Sequence, residues 1–110
     1  MSLAVIISEK AELDLTLQYR WYLQHGDAAV AERYLAAFDE MIQALTVNPE
    51  LGRSRHFQNE ELRGMRSCQV GGAFFRHLIF YRNADTLSIE RVMHGARDLP
   101  RRLLEEPGSE

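Results

Sequence analysis

Two amphipathic segments that follow each other almost without a break constrain this chain more than any other feature of its sequence. The first begins after Ser8 and repeats apolar residues at helical spacing until Gly26, and the second begins after Asp27 and stops before Pro49. Serine and aspartate are favoured helix N-caps, glycine ends helices, and the residue before a proline avoids the helical region. Because only two or three residues separate the segments, the sequence predicts an antiparallel helical hairpin.

The first predicted helix is apolar on two sides. Such a helix either packs between two layers or presents one of its sides to a partner. Of these two arrangements, we expect the packed one. The two stripes are Ala11, Leu15, Tyr19 and Tyr22 on one side, and Leu13, Leu17 and Trp21 on the other.

Short runs rich in β-branched and aromatic residues flank the hairpin. Residues 3–7 predict a strand before it, residues 62–69, 74–82 and 86–94 predict three strands after it, and residues 49–60 have the composition of a loop. The predicted fold class is therefore α+β with the order β-α-α-β-β-β. The helical hairpin would pack on one face of a small, mainly antiparallel sheet, the other face would stay open, and a short helix would end near residue 104.

Alternation along the last two predicted strands assigns side chains to faces. Side chains on a strand point alternately to its two sides. In the strand predicted at residues 74–82, one face would carry Arg76, Leu78, Phe80 and Arg82, and the other face would carry His77, Ile79 and Tyr81. In the strand predicted at residues 86–94, one face would carry Leu87, Ile89, Arg91 and Met93.

Length and composition indicate one small globular domain. The 110 residues are 45% hydrophobic and 26% charged, which is enough for one core, so we expect a domain at residues 1–104 and a flexible tail at 105–110. No apolar run is long enough to cross a membrane or to act as a signal peptide, and Cys68 has no partner for an internal disulfide. A cytoplasmic location is predicted.

The charge is distributed unevenly along the chain. The formal net charge of −3 combines −5 for residues 1–50, +5 for residues 51–104 and −3 for the last six residues, and all basic residues except Lys10 are arginine. Arginine binds carboxylates and phosphates in pairs of hydrogen bonds, so the second half has the composition of a binding surface. The alternative is that these arginines form structural ion pairs within the chain.

No pattern typical of a metal site, a phosphate-binding loop or a nucleophilic enzyme is present, and no cofactor is predicted. The four histidines are scattered and the one cysteine has no ligand partner. A basic sheet with aromatics could bind RNA, and arginine with histidine could cleave it. The alternative is that the aromatics form the core and the arginines are solvated.

Two segments near the end of the chain resemble ParE-type toxins of the RelE/ParE superfamily of bacterial toxin–antitoxin systems. They are residues 78–82 (LIFYR) and residues 89–98 (IERVMHGARD), of which the run from Arg91 to Asp98 is the more specific. Ala11, Asp14, Leu15 and Tyr22 resemble the family's first helix, and Ala31, Tyr34, Leu35, Leu45, Pro49, Gly52 and Arg53 its second helix and the following turn.

The resemblance implies a small toxin that a cognate, ParD-like antitoxin neutralises. ParE-like members are non-enzymatic inhibitors of DNA gyrase, and the residues expected to bind the target or the antitoxin are Arg76, Arg82, Arg91, His94 and Arg97. Plasmid stabilisation and growth arrest are the associated roles.

Two alternatives remain open at this stage. A RelE-like member would cleave mRNA on the ribosome, with Arg63, Arg76, His94 and Arg97 as catalytic candidates. No tyrosine or histidine follows His94, and lysine is nearly absent, which favours the ParE branch over the ribonucleases. A member that has lost toxicity would only bind its antitoxin.

Overall fold

The structure, a computed structural model that describes residues 2–95 and 99–108, contains the predicted helical hairpin. Helix α1 spans Glu9–His25 and helix α2 spans Ala28–Val47. The predicted N-caps are confirmed, since the Ser8 side chain accepts a hydrogen bond from the backbone N–H of Ala11 and the Asp27 carboxylate accepts one from that of Val30. Each cap satisfies an N–H that would otherwise have no partner in the first turn.

Five strands form one mixed sheet, which confirms the α+β class. The strand order is β1-β5-β4-β3-β2, in which β1 is parallel to β5 and the other neighbours are antiparallel. The two helices make the crossover from β1 to β5, and a short helix α3, Arg101–Leu104, follows the sheet. The strands are β1 (Ala4–Ile7), β2 (Arg53–Ser54), β3 (Arg66–Gln69), β4 (His77–Asn83) and β5 (Thr86–His94).

Three strand boundaries differ from the prediction. The two-residue strand β2 lies inside the segment predicted to be a loop, and strands β3 and β4 begin four and three residues later than predicted, because 3-10 turns at Glu60–Leu62 and Gly72–Phe74 precede them. Arg63 and Arg76 were predicted on strands, but they lie in the segments that follow these turns. That part of the prediction is wrong because local turn geometry overrides the β-branched and aromatic composition.

Both faces of the sheet are covered, so the prediction of an open face is wrong. The helices cover one face with a cluster that contains Ala11, Phe38, Ile42, Leu45, Val70, Ile79, Tyr81, Leu87, Ile89 and Val92. A second, smaller cluster covers the other face and contains Leu62, Met65, Phe80, Met93 and Leu103. This second layer is formed by helix α3 and by the segment between β2 and β3. Hydrophobic periodicity alone did not predict it.

A β-bulge in β5 changes which side chains share a face. Phe80 pairs with Arg91 while the next residue of β4, Tyr81, pairs with Ile89, so Glu90 is an extra residue in β5. Leu87, Ile89 and Val92 therefore belong to the helix-side cluster, whereas Met93 belongs to the other. The single face predicted for Leu87, Ile89, Arg91 and Met93 is wrong, because one inserted residue reverses the alternation that follows it.

Helix α1 completes the edge of β5 beyond the end of β1. The side chain of Ser8 donates a hydrogen bond to the carbonyl of Glu90 (2.8 Å). At Val92, the N–H donates to Asp14 Oδ2 (2.9 Å) and the carbonyl accepts from Gln18 Nε2 (2.7 Å). Polar side chains of the helix thus replace the hydrogen bonds that a longer β1 would make.

The second apolar stripe of α1 faces solvent. Leu13 is 43% exposed, Leu17 38% and Trp21 54%, so the expectation that this stripe packs between two layers is wrong. The sheet and α2 occupy only the side of the helix that carries Ala11, where the helix-side cluster lies.

Candidate functional site

Arg91 forms the centre of a buried polar network between α1, β5 and α3. Its guanidinium donates to both carboxylate oxygens of Asp14, with Nε 2.8 Å from Oδ2 and Nη2 3.0 Å from Oδ1. Its Nη1 also donates to the carbonyls of Arg102, Leu103 and Glu105 at 2.9, 3.1 and 2.7 Å. Because Arg91 is only 3% exposed, this candidate binding residue is not presented on the surface of the isolated chain.

Three other arginines of the second half bind backbone carbonyls in the same way. Arg66 donates to the carbonyl of Gly52 at 2.8 Å, Arg82 to that of Arg63 at 2.8 Å, and Arg102 to that of His94 at 3.2 Å. Arg82 also forms an ion pair with Glu90 at 3.4 Å. The structural interpretation of the arginine-rich half therefore applies to Arg66, Arg82, Arg91 and Arg102, whose forked side chains hold loops and α3 against the sheet.

The candidate catalytic residues that the structure describes do not all lie at one site. Arg76 and His94 lie together at one end of the sheet, where the N–H of Gly95 donates to the carbonyl of Arg76 at 2.9 Å. Arg63 lies beside Arg82, six residues after Arg76, which corresponds to about 20 Å at the rise of an extended strand. Arg63 pairs with Glu60 at 3.1 Å in an exposed position. Arg97 lies outside the described residues.

Aromatic and histidine side chains form a cluster at the end of the sheet where Arg76 and His94 lie. The Tyr22 hydroxyl and His77 Nε2 share a hydrogen bond of 2.8 Å, and the ring centroid of His77 lies 4.6 Å from that of Tyr34 and 4.8 Å from that of His94. Phe74 packs against Tyr22 and Tyr34. The sheet supplies His77 and His94 as directly opposite residues of β4 and β5, and the helices supply the two tyrosines.

Burial shifts the pKa values of three members of this cluster, His77, Tyr22 and Tyr34. Desolvation, with a smaller contribution from nearby His94, lowers the pKa of His77 to about 4, and desolvation raises the pKa values of Tyr22 and Tyr34. His77 Nδ1 is buried and has no hydrogen-bond partner within the part of the chain that the structure describes. His77 is therefore a neutral imidazole at physiological pH.

A groove of about 420 Å³ lies between α1 and the C-terminal segment. Its lining includes Leu17, Trp21 and Tyr22 of α1, Met93 and His94 of β5, and Glu105, Glu106 and Gly108 of the C-terminal segment. Lys10 ties this segment to α1, since its Nζ lies 3.3 Å from the carbonyl of Leu104 and 3.7 Å from the carboxylate of Glu106.

Within residues 2–95 and 99–108, no group of three or more histidine, cysteine, aspartate or glutamate side chains is arranged to hold a metal ion. In the same residues, no helix is long and apolar enough to cross a membrane.

Comparison with known proteins identifies the family. The family model described as "ParE toxin of type II toxin-antitoxin system, parDE" matches residues 5–99. This chain belongs to the ParE toxin family. It is therefore a ParE toxin of a type II toxin–antitoxin system, and membership of a toxin–antitoxin pair implies an antitoxin partner.

A solved structure confirms the ParE fold. A chain described as "Chromosomal ParDE TA system from P. aeruginosa" superposes with a TM-score of 0.69 at 17% sequence identity, and the match covers 86% of this chain and 98% of that chain. No functionally curated protein sequence matches. The resemblance recognised in residues 78–82 and 89–98 is thus confirmed for the family and for its fold.

The cluster around His77 and the groove beside α1 were not predicted from the sequence. The pairing of His77 with His94 depends on the register of β4 and β5, and Tyr22 reaches His77 only because α1 crosses that end of the sheet. The exposed second stripe of α1 was a usable signal, because Trp21 is the only tryptophan and lies on it.

Proposed function

We propose that this ParE-family toxin inhibits DNA gyrase by binding to it, without catalysing a reaction of its own, and that a ParD-like antitoxin in the same cytoplasm neutralises it. The separation of Arg63 from the other two described catalytic candidates, Arg76 and His94, carries the proposal. Cleavage of RNA needs a base, an acid and cations within reach of one phosphate. Arg63 lies about 20 Å from Arg76 along the sheet.

The buried pair of His77 and Tyr22 agrees with a structural rather than a catalytic role for these two residues. General acid–base catalysis is most efficient when the pKa of the group lies near the working pH. Burial lowers the pKa of His77 to about 4 and raises that of its partner Tyr22, so neither group is tuned for proton transfer at neutral pH. The hydrogen bond between them instead holds α1 against the sheet.

The surface that we assign to target binding comprises Phe75, Arg76 and His94, all exposed at the end of the sheet. Phe75 is 51% exposed, and the guanidinium carbon of Arg76 lies 5.8 Å from the centre of its ring. Aromatic and arginine side chains dominate the binding energy of many protein interfaces. Arg76 and His94 are also the two sequence candidates that the described structure leaves on the surface beside each other.

The test is a gyrase supercoiling and DNA-cleavage assay with the purified toxin, repeated with the antitoxin encoded beside it. We expect inhibition that the antitoxin reverses, and a potency at least about tenfold lower for Arg76→Ala and for His94→Ala, as for central interface residues. Arg33→Ala is the matched control, because Arg33 is an exposed arginine of α2 that is not part of this surface.

Two results would overturn the proposal. Growth arrest with unaffected gyrase and with mRNA cut on ribosomes would identify an mRNA interferase. Expression without growth arrest would indicate a module that binds the antitoxin but is not toxic.

A further inference from the structure

The structure brings together two of the four histidines that are scattered along the sequence. His77 of β4 and His94 of β5 are directly opposite residues of an antiparallel pair, so their side chains lie on the same face of the sheet. Their ring centroids are 4.8 Å apart, and the two ring planes are inclined by 65°. Imidazole is the commonest metal ligand among side chains and suits zinc, copper and nickel ions.

The spacing of the two rings matches that of two imidazoles that share one metal ion. A ring nitrogen binds such an ion at about 2.0 to 2.1 Å and lies about 1.1 Å from the centre of its own ring, so the ion is about 3.2 Å from each ring centre. For angles of about 90° to 110° at the ion, the two ring centres would be about 4.5 to 5.2 Å apart. The observed separation of 4.8 Å lies within this range.

His77 has a nitrogen that is available for a metal ion. Its Nδ1 is buried and has no hydrogen-bond partner within residues 2–95 and 99–108. Its Nε2 lies 2.8 Å from the Tyr22 hydroxyl oxygen, and in the tautomer in which Nε2 donates to this oxygen, Nδ1 carries a free lone pair. Histidines that bind metal ions almost always donate their other N–H to a neighbouring acceptor, which fixes the tautomer and orients the ring. Tyr22 is placed to orient His77 in this way.

The groove beside α1 connects the pair with solvent. Both histidines line this groove, and His94 is exposed whereas His77 is buried. From the spacing, the unpartnered Nδ1 and this access, we infer that His77 and His94 form a two-histidine site for a divalent transition-metal ion. Because no group of three or more such ligands occurs among the residues that the structure describes, water would complete the coordination of the ion.

The ligand set determines which ions the site accepts. Nitrogen ligands favour copper(II), nickel(II) and zinc(II), and affinity for a given set of ligands is highest for copper(II). Magnesium and calcium ions prefer oxygen ligands and should not bind. His94 also belongs to the surface that we assign to gyrase binding. Metal binding is measured on the isolated chain, so this inference does not rest on the proposed inhibition of gyrase.

The first experiment is isothermal titration calorimetry of the purified chain, without an affinity tag, with copper(II) and with magnesium. We expect one copper ion per chain, no response to magnesium, and a dissociation constant for copper at least about tenfold higher in His94→Ala, because one of the two protein ligands is lost. The matched controls are His25→Ala and His56→Ala, since both residues are exposed histidines outside the pair. Because His94 is exposed, His94→Ala should fold, and melting curves establish that all three variants do.

The second experiment counts the ligands by pulsed electron paramagnetic resonance of the chain loaded with copper(II). Two coordinated imidazoles are expected in the wild type and one in His94→Ala. The absence of saturable copper binding, or an unchanged affinity in His94→Ala, would overturn the inference. So would a loss of affinity in His25→Ala or His56→Ala equal to that in His94→Ala, or a wild-type spectrum with fewer than two imidazoles.

Discussion

The replacement of Asp14 by asparagine tests how much the buried network around Arg91 contributes to stability. The carboxylate accepts two hydrogen bonds from Arg91 and one from the N–H of Val92. Asparagine keeps the shape of the side chain but removes its charge. Its amide nitrogen is a donor, and it takes the place of an oxygen that accepts from Arg91 or Val92. Breaking a buried ion pair by removing one partner costs about 3 to 5 kcal/mol, because the remaining charge is left buried.

We therefore expect Asp14→Asn to lower the free energy of unfolding by about 3 kcal/mol or more, a large part of the 5 to 15 kcal/mol that is usual for one domain. The assay is urea unfolding followed by circular dichroism. Glu60→Gln is the control, since the exposed pair between Glu60 and Arg63 should contribute at most about 1 kcal/mol. A loss below about 1 kcal/mol in Asp14→Asn would refute the reasoning.

A double replacement of Asp14 and Arg91 by leucine extends the test. Apolar replacement of both members of a buried ion pair is often neutral. Here the double variant would leave the N–H of Val92 and three carbonyls around α3 without these partners, at a cost of about 1 to 3 kcal/mol for each group that stays buried. We expect it to remain destabilised, and a double variant as stable as the wild type would contradict the role of Arg91 as an anchor for α3.

Two further predictions concern the end of the sheet and the loop before β2. Because the pKa of His77 is about 4 in the folded chain against 6.5 unperturbed, the unfolded chain takes up a proton first as the pH falls. Stability should thus be unaffected by His77 above pH 6.5 and fall by up to about 3 kcal/mol between pH 6.5 and 4, and urea titrations should show a flatter profile for His77→Gln. Gly52→Ala would place a Cβ 2.5 Å from the Tyr81 hydroxyl, so it should cost about 1 to 3 kcal/mol, whereas Gly71→Ala meets nothing within 4 Å and should change the melting temperature little. Equal melting temperatures for the two glycine variants would contradict the steric argument.

Local signals determined the parts of the fold that could be predicted. The helix ends are set by residues close to them in sequence, namely Ser8, Gly26, Asp27 and Pro49. Both helices were therefore predicted to within two residues of their observed bounds. Strand β5 was predicted with its observed bounds, because the alternation over residues 86–94 is strong and its ends are turns. The family could be recognised because its most specific run, from Arg91, is contiguous in sequence.

The features that escaped prediction depend on distant residues. The extra residue Glu90 leaves no mark in the sequence, because a bulge is defined by the partner strand. The carbonyls that Arg91 and Arg82 bind lie 11 to 21 residues away along the chain, so composition could not separate structural arginines from surface ones. The exposure of Arg76 and His94 could not be predicted either, because it depends on the register of the sheet.

The parallel pairing of β1 with β5 also determines the order in which the chain can fold. Ala4 pairs with Thr86, so β1 has no partner strand until residue 86 has been made. Helix α1, α2 and the hairpin of β4 and β5 rely on local contacts, which form fast, whereas closure over so long a loop is slow. Arg91 further requires the carbonyls of residues 102–105. During synthesis the helical hairpin should therefore leave the ribosome as an unanchored unit, and the packed toxin should appear only after residues 102–105 have been made.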